Sequence, residues 1–370
     1  MFTGVDCCSR VNDEEKGLMT KISDREQIQE LDWIRGISAL LIVLYHFTTQ
    51  YEISIGHITP WRITIPWGCG AVNVFFMLTG FLTVYSIKMG MSPLLFAWKR
   101  IKRLYPAYWI CIVITSVVVS LFLKDYMRSM SVILVNFTML QNFFGIPNVD
   151  GVYWTLSYEL IFYFYIVILL LFKSASLRWI RNLSLAWIVL SYIYYAFEAV
   201  GFSNMLTNSI RLAFMPYFTA SFAGGIILGT VAKEQKRGFI SYIGVFASIV
   251  LSFMVQERSY SVLYCIAVIV LALIVEERFI IKDTRYVEVI TIVNKYLKPL
   301  TFVAGVSYPL YLLHQFIGFA IIKHLEASGL KSEIIIIAPL AIVLFLAYLV
   351  QKSSDRLMSI GKREDDNRAR

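Results

Sequence analysis

LDWIRGISALLIVLYHF, residues 31 to 47, is the stretch on which the reading of this chain turns. It is an apolar run interrupted by a cation, Arg35, and an imidazole, His46. With its flanks it reaches the length of roughly 20 residues that a helix needs to cross a bilayer core. An open strand could not do so, because lipid leaves its backbone groups without hydrogen-bond partners. Arg35 and His46 are eleven positions apart. That is about three helical turns, so the two side chains share one face and lie about 16 Å apart along the axis. Ionisable groups on one face of a membrane helix are costly to hold there; alone, Arg35 could snorkel to lipid phosphates and His46 could bond a neighbouring helix, but the pair on one face favours function. The run follows a charged stretch, contains Arg35 and lacks a small-residue cleavage site after it. It therefore reads as a retained span and not a signal peptide.

The rest of the chain has the same character. Hydrophobic residues make up 58% of the 370, far above a soluble domain's share. Apolar runs between charged breaks predict an all-α polytopic membrane protein with ten spans, near 31–50, 68–88, 104–123, 156–172, 179–198, 211–232, 239–256, 259–275, 299–322 and 333–352. The segment 130–144 is apolar but short, which suits a re-entrant or interfacial piece. With the N-terminus inside, 26 of the 34 Lys and Arg fall on the cytosolic side and 7 on the outer side, with Arg35 in the first span. This bias predicts N-in and C-in, with Arg35 toward the cytosol and His46 toward the outer face. The chain then divides into a cytosolic tail (1–30), a transmembrane domain (31–352) and a charged, partly disordered cytosolic tail (353–370), with no large soluble domain appended. The net charge of +9 reflects this inside bias and does not call for a nucleic-acid partner. The five cysteines, Cys7, Cys8, Cys69, Cys111 and Cys265, form no CxxC pair and no disulfide framework. No metal-ligand spacing, phosphate-binding loop or nucleophile elbow is present.

Four further stretches place polar groups in or beside apolar spans. In KRIKRLYPAYW, residues 99 to 109, Arg100 and Arg103 share a face at i, i+3, and their guanidinium forks suit phosphate oxygens. A basic anchor on anionic lipid is the structural alternative, and Pro106 is expected to start or kink the third span. In GCGAVNVFFMLTGFL, residues 68 to 82, Gly68, Gly70 and Gly80 permit close backbone approach, while Asn73 and Thr79 can contact a substrate or a neighbouring helix. In GVYWTLSYELIFY, residues 151 to 163, Glu159 lies a few residues inside the fourth span and needs a partner, for which His46 and Arg35 are the candidates. In SYPLYLLHQF, residues 307 to 316, His314 is either a packing residue or a substrate contact. Asp32 is placed to pair with Arg35, and His57 and His324 fall in outer loops with no assigned role.

Taken together and in order, LDWIRGISALLIVLYHF, NVFFMLTGFL, RIKRLYPAYW, WTLSYELIFY and SYPLYLLHQ resemble the membrane-bound acyltransferase-3 family across residues 31 to 316. The resemblance implies a ten-helix enzyme that moves an acyl group, most often acetyl, from cytosolic acyl-coenzyme A to sugar hydroxyls of bacterial surface glycans such as O-antigen, capsule or exopolysaccharide. By position, His46 resembles the family's essential histidine and Arg35 its paired arginine, with Glu159 at the acidic position of the WTLSYE element. Arg100 and Arg103 resemble the basic pair thought to meet the donor. Thr79 stands where the family often has Ser. The resemblance implies acetyl-CoA as donor, no metal, a glycan or lipid-linked glycan acceptor, and the bacterial inner membrane as location. On this reading the donor arm reaches along the Arg35–His46 face, and His46 acts as general base or as transient acyl carrier. A secondary transporter of a glycan precursor or small anion, and a catalytically idle scaffold for a glycan synthase, are the competing readings.

Overall fold

A computed structural model of the protein describes residues 28–58, 64–88, 90–172, 176–201, 208–330 and 332–368. Most of the expected N-terminal tail, with Cys7 and Cys8, lies outside these residues, as do Arg62 and Lys331. Among the described residues all regular structure is helical, as membrane-spanning chemistry requires.

Twelve helices carry the fold. In chain order they are α1 (Gln29–Tyr45), α2 (Ala71–Ser86), α3 (Pro93–Phe122), α4 (Trp154–Leu171), α5 (Leu177–Ala199), α6 (Thr219–Glu234), α7 (Phe239–Val255), α8 (Arg258–Val275), α9 (Thr284–Tyr296), α10 (Lys298–Gly305), α11 (Ser307–Ala327) and α12 (Ser332–Arg368). Among the described residues, seven segments are long and apolar enough to cross a membrane, or eight if the bent pair α10–α11 is one span. The other two of the ten expected spans exist as helices α5 and α7 but fall below that measure. Serines and tyrosines dilute the apolar run of α5, and α7 has only 17 residues.

Three boundaries differ from expectation. α3 begins at Pro93 and runs through Pro106, so the basic cluster is inside a helix and not ahead of one. α12 continues unbroken to Arg368, so the segment after Lys352 is helical; Gln351 donates to Asp355 across one turn at 2.9 Å. The 278–298 connection contains α9, an amphipathic helix held to the start of α1 by Trp33 Nε1 donating to Asn294 at 3.2 Å.

The packing centres on α2 and α6, the two most deeply buried spans. α6 is rich in small residues and every residue from Thr219 to Ala232 is buried. Such residues let membrane helices approach until their backbones touch. A Cβ on Gly80 would sit 2.5 Å from the Phe222 carbonyl oxygen, and one on Gly225 would collide with the Met77 carbonyl. α2 thereby joins two cores. Val72, Phe76 and Val84 face a core shared with α1, α3, α4, α11 and α12, whereas Met77, Leu78 and Phe81 face one shared with α6, α7 and α8.

The segment Met130–Phe144 does not span. It forms a short helix, Met130–Asn136, and a 3-10 turn, Gln141–Phe144, tied to α3 by Trp109 Nε1 donating to the Phe137 carbonyl at 2.9 Å.

Candidate functional site

The basic cluster resolves into two faces. Arg100 and Arg103 turn inward, one helical turn apart, while Lys102 lies over the exposed Trp98 ring, its Nζ 4.9 Å from the centroid. Arg100 is held between aromatic rings, 5.0 Å from the centroid of Phe96 and 4.9 Å from that of Tyr163. Arg35 joins them from α1, with Nη1 3.4 Å from Asp32 Oδ1, the pairing that the spacing predicts. All three guanidinium groups line one cavity of about 120 Å³, together with Thr79, Glu159, Tyr163, Ser307, Tyr308 and Tyr311. The cavity lies at the break between α10 and α11, where the chain bends by 77°. Broken membrane helices supply polar backbone at places where a cavity makes it tolerable.

Glu159 belongs to this arginine cavity and not to the surroundings of His46. Its Oε1 accepts from Tyr163 Oη at 2.6 Å, so one aromatic ring links the carboxylate to Arg100. The expected pairing with His46 assumed a span starting near 156. The helical segment starts at Gly151, which sets Glu159 eight residues, about 12 Å, below its end.

The group that meets His46 is His314. The two rings are T-shaped, with centroids 4.6 Å apart, and His314 Nε2 lies 3.1 Å from His46 Nδ1. His314 is fully buried, while His46 keeps partial exposure. α1 changes its winding at this point: His46–Gln50 is a π-helical turn, a distortion common at functional sites. His46 does not line the arginine cavity. Phe75 from α2 and Tyr311 from α11, with centroids 6.4 Å apart, both line it, and the Tyr311 ring lies 5.5 Å from that of His314. The Arg35–His46 face is thus divided in this structure: Arg35 lines the cavity and His46 does not. Tyr311 is tethered there: its hydroxyl accepts from Thr155 Oγ1 at 3.0 Å and donates to the Val152 carbonyl at 3.2 Å.

Asn73 lies elsewhere. Its Oδ1 accepts from Ser221 and from Gln256 at 3.2 and 3.0 Å, so it ties α2 to α6 and to the residue that follows α7. A buried amide with bonded neighbours is an interhelical contact. Thr79 does reach the cavity.

Two features escaped the sequence. Asp150, immediately ahead of the fourth span, is fully buried. Its Oδ1 accepts from Val152 N, and its Oδ2 from Phe316 N, at 3.2 Å each, which pins the turn before α4 against the helix of His314. The second is the pairing of His57 with Glu326 at 2.6 Å, both side chains almost inaccessible, with Tyr51 donating to the other carboxylate oxygen at 3.2 Å. It clasps the ends of α1 and α11 beyond the His46–His314 pair. Asp150 was readable only as a loop acid beside GVYW, and His57 only as a loop histidine. No ligand-like cluster of His, Cys, Asp and Glu for a metal exists among the described residues.

The chain is similar to ORF330 of Acidianus two-tailed virus, whose name proposes an acetyltransferase, with 22% identity over 206 residues. That match covers 55% of this chain and 58% of the viral protein, so the chain spans little more than half of that relative's length. No solved structure matches. The model of the acyltransferase-3 family, described as an acyltransferase domain, matches residues 28–350, almost all of the described helices. The chain is thus a multi-pass membrane protein and a member of the acyltransferase-3 family.

Proposed function

We propose that the protein transfers an acetyl or other short acyl group from acyl-coenzyme A to a sugar hydroxyl of a surface polysaccharide, or of its lipid-linked precursor, in the bacterial cytoplasmic membrane. The observation that carries this reading is the convergence of Arg35, Arg100 and Arg103 from two helices on one cavity lined also by Tyr311, whose ring lies beside a histidine pair. Three guanidinium groups in a half-enclosed site favour a ligand with several phosphates, and their forks match its oxygens. The Lys and Arg bias supports a cytosolic position for this cavity, the side on which acyl-coenzyme A is found.

In the working cycle the donor's phosphates rest on the arginines, and its thin pantetheine arm passes between Phe75 and Tyr311. The thioester then faces His46. His46 either takes the proton of the acceptor hydroxyl as that oxygen attacks the thioester, or accepts the acyl group and hands it on. Glu159 and Tyr163 hold Arg100 in place, so Glu159 acts on the donor side. Thr79 lines the donor's path.

Radiolabelled acetyl-CoA supplied to membranes carrying the protein tests the reading. The label should appear in the glycan fraction with the wild-type chain, and fall by at least about 100-fold with His46→Ala, the usual scale for losing a general base. Arg35→Ala should weaken the donor's apparent affinity as well. Wild-type labelling by both folded variants would sink the proposal.

A further inference from the structure

The hydrogen-bond pattern around His314 determines which nitrogen of His46 carries a proton. His314 Nδ1 lies 2.8 Å from the Tyr311 carbonyl oxygen and 3.2 Å from that of Leu310. A carbonyl oxygen only accepts, so Nδ1 carries the hydrogen, and the neutral ring then has its lone pair on Nε2. That lone pair faces His46 Nδ1 at 3.1 Å. Two lone pairs cannot face each other at this distance, so His46 Nδ1 must be the donor. The Ile42 carbonyl, 2.9 Å from the same nitrogen, imposes the same choice. It already accepts the backbone N–H of His46, which makes it a shared and weaker acceptor. The lone pair of His46 is left on Nε2.

The helix bearing His314 is fixed from three directions. Asp150 holds the Phe316 backbone N–H, Gly151 packs on the Gln315 amide, and Phe47 fills the space left open at Gly318. A ring held this firmly sets the angle of the one it bonds.

We infer that His314 is a positioning residue for His46, holding it as the Nδ1–H tautomer with Nε2 aimed at substrate. The inference rests on the proposed role of His46. In the general-base route the acceptor hydroxyl gives its proton to Nε2 while its oxygen bonds to the thioester carbon. The C–S bond then breaks and the Nε2 proton passes to the departing sulfur. Nδ1–H stays in place throughout, and its bond to His314 strengthens while His46 carries positive charge. In the acyl-carrier route the same Nε2 lone pair bonds to the thioester carbon as the C–S bond breaks and the thiolate leaves; the acceptor oxygen then takes the acyl carbon as the C–Nε2 bond breaks, and its proton goes to the thiolate. His314 thus does with a neutral imidazole what a carboxylate does for the histidine of a serine-protease triad.

Three variants of the full chain test this: His314→Gln, whose side-chain oxygen keeps an acceptor near the position of Nε2, His314→Leu, which has none, and His46→Ala. Transfer of labelled acetyl from acetyl-CoA to the membrane glycan fraction is measured against acetyl-CoA concentration. His314→Leu should lower apparent kcat by about 10- to 100-fold, the scale for losing an outer-shell partner, with the KM for acetyl-CoA unchanged. His314→Gln should stay within a few-fold of wild type. The chain has four histidines, so nitrogen-15 imidazole spectra of histidine-labelled protein can be assigned by single substitution. His46 should show one Nδ1–H tautomer in the wild type and in His314→Gln, and a mixture in His314→Leu, where the shared Ile42 carbonyl is the acceptor that remains at Nδ1. An unchanged tautomer in His314→Leu, wild-type turnover in that variant, or a loss in His314→Gln as deep as in His314→Leu would each overturn the inference. Wild-type turnover in His46→Ala would instead overturn the role of His46 itself.

Discussion

Arg35, Arg100 and Arg103 were readable from the sequence because a guanidinium beside or inside an apolar run is conspicuous wherever it points. What each one meets was not. Glu159 was assigned to His46 by depth, and an error of five residues in the helix start shifted it by about 8 Å along the axis, toward the arginines. The partner of His46 sits 268 residues further along the chain, and no local pattern encodes such a distance. Asn73 shows the converse ambiguity, since an amide in an apolar helix looks the same whether it lines a cavity or ties two helices. The arginines also yield a graded expectation. Arg100→Ala or Arg103→Ala should raise the KM for acetyl-CoA by about 10- to 100-fold, the scale of one or two charge-assisted hydrogen bonds, with a smaller effect on kcat. Titrating initial rates against acetyl-CoA at low and moderate salt would show it, and equal KM values in wild type and both variants would count against a donor role.

At the scale of elements, the spans were legible because lipid permits little besides helices, so apolar length alone locates them. Helix ends and winding were less legible. The π-helical turn at His46–Gln50 offsets everything after it from an α-helical count, and nothing in HFTTQ announces it. The tight α2–α6 contact was half visible: Gly80 was marked for close approach, but its counterpart Gly225 lies in a run of small residues that gives no sign of which one touches. Gly225→Ala should cost about 1–3 kcal/mol through overpacking, because the obstacle is backbone and cannot move aside alone. Thermal unfolding in detergent would measure it, with Gly305→Ala, where a Cβ meets nothing within 4 Å, as the matched control. Similar midpoints for the two variants would refute the argument.

For the whole molecule, sidedness rests on charge. The prediction is that single cysteines placed in the connections before α3 and after α8 are labelled only from the cytosolic side, and those near Lys124 only from outside. The reverse pattern would put the arginine cavity on the wrong side for acyl-coenzyme A. The two halves of the fold also differ in how firmly they are built. α2 is locked along α6 by backbone-to-backbone contact, so the wall carrying Phe75 is a fixed jaw. Tyr311 stands on α11, just past the 77° break at Val306, and is held by hydroxyl bonds that water or substrate can replace. Hydrogen exchange should accordingly be faster at the amides of 304–308 than along α2, and equal protection would refute the contrast. A locked wall facing a ring on exchangeable bonds makes a gate with one leaf: the donor's passage to the histidines opens by the turning of Tyr311, with the His314 end of α11 held in place, or not at all.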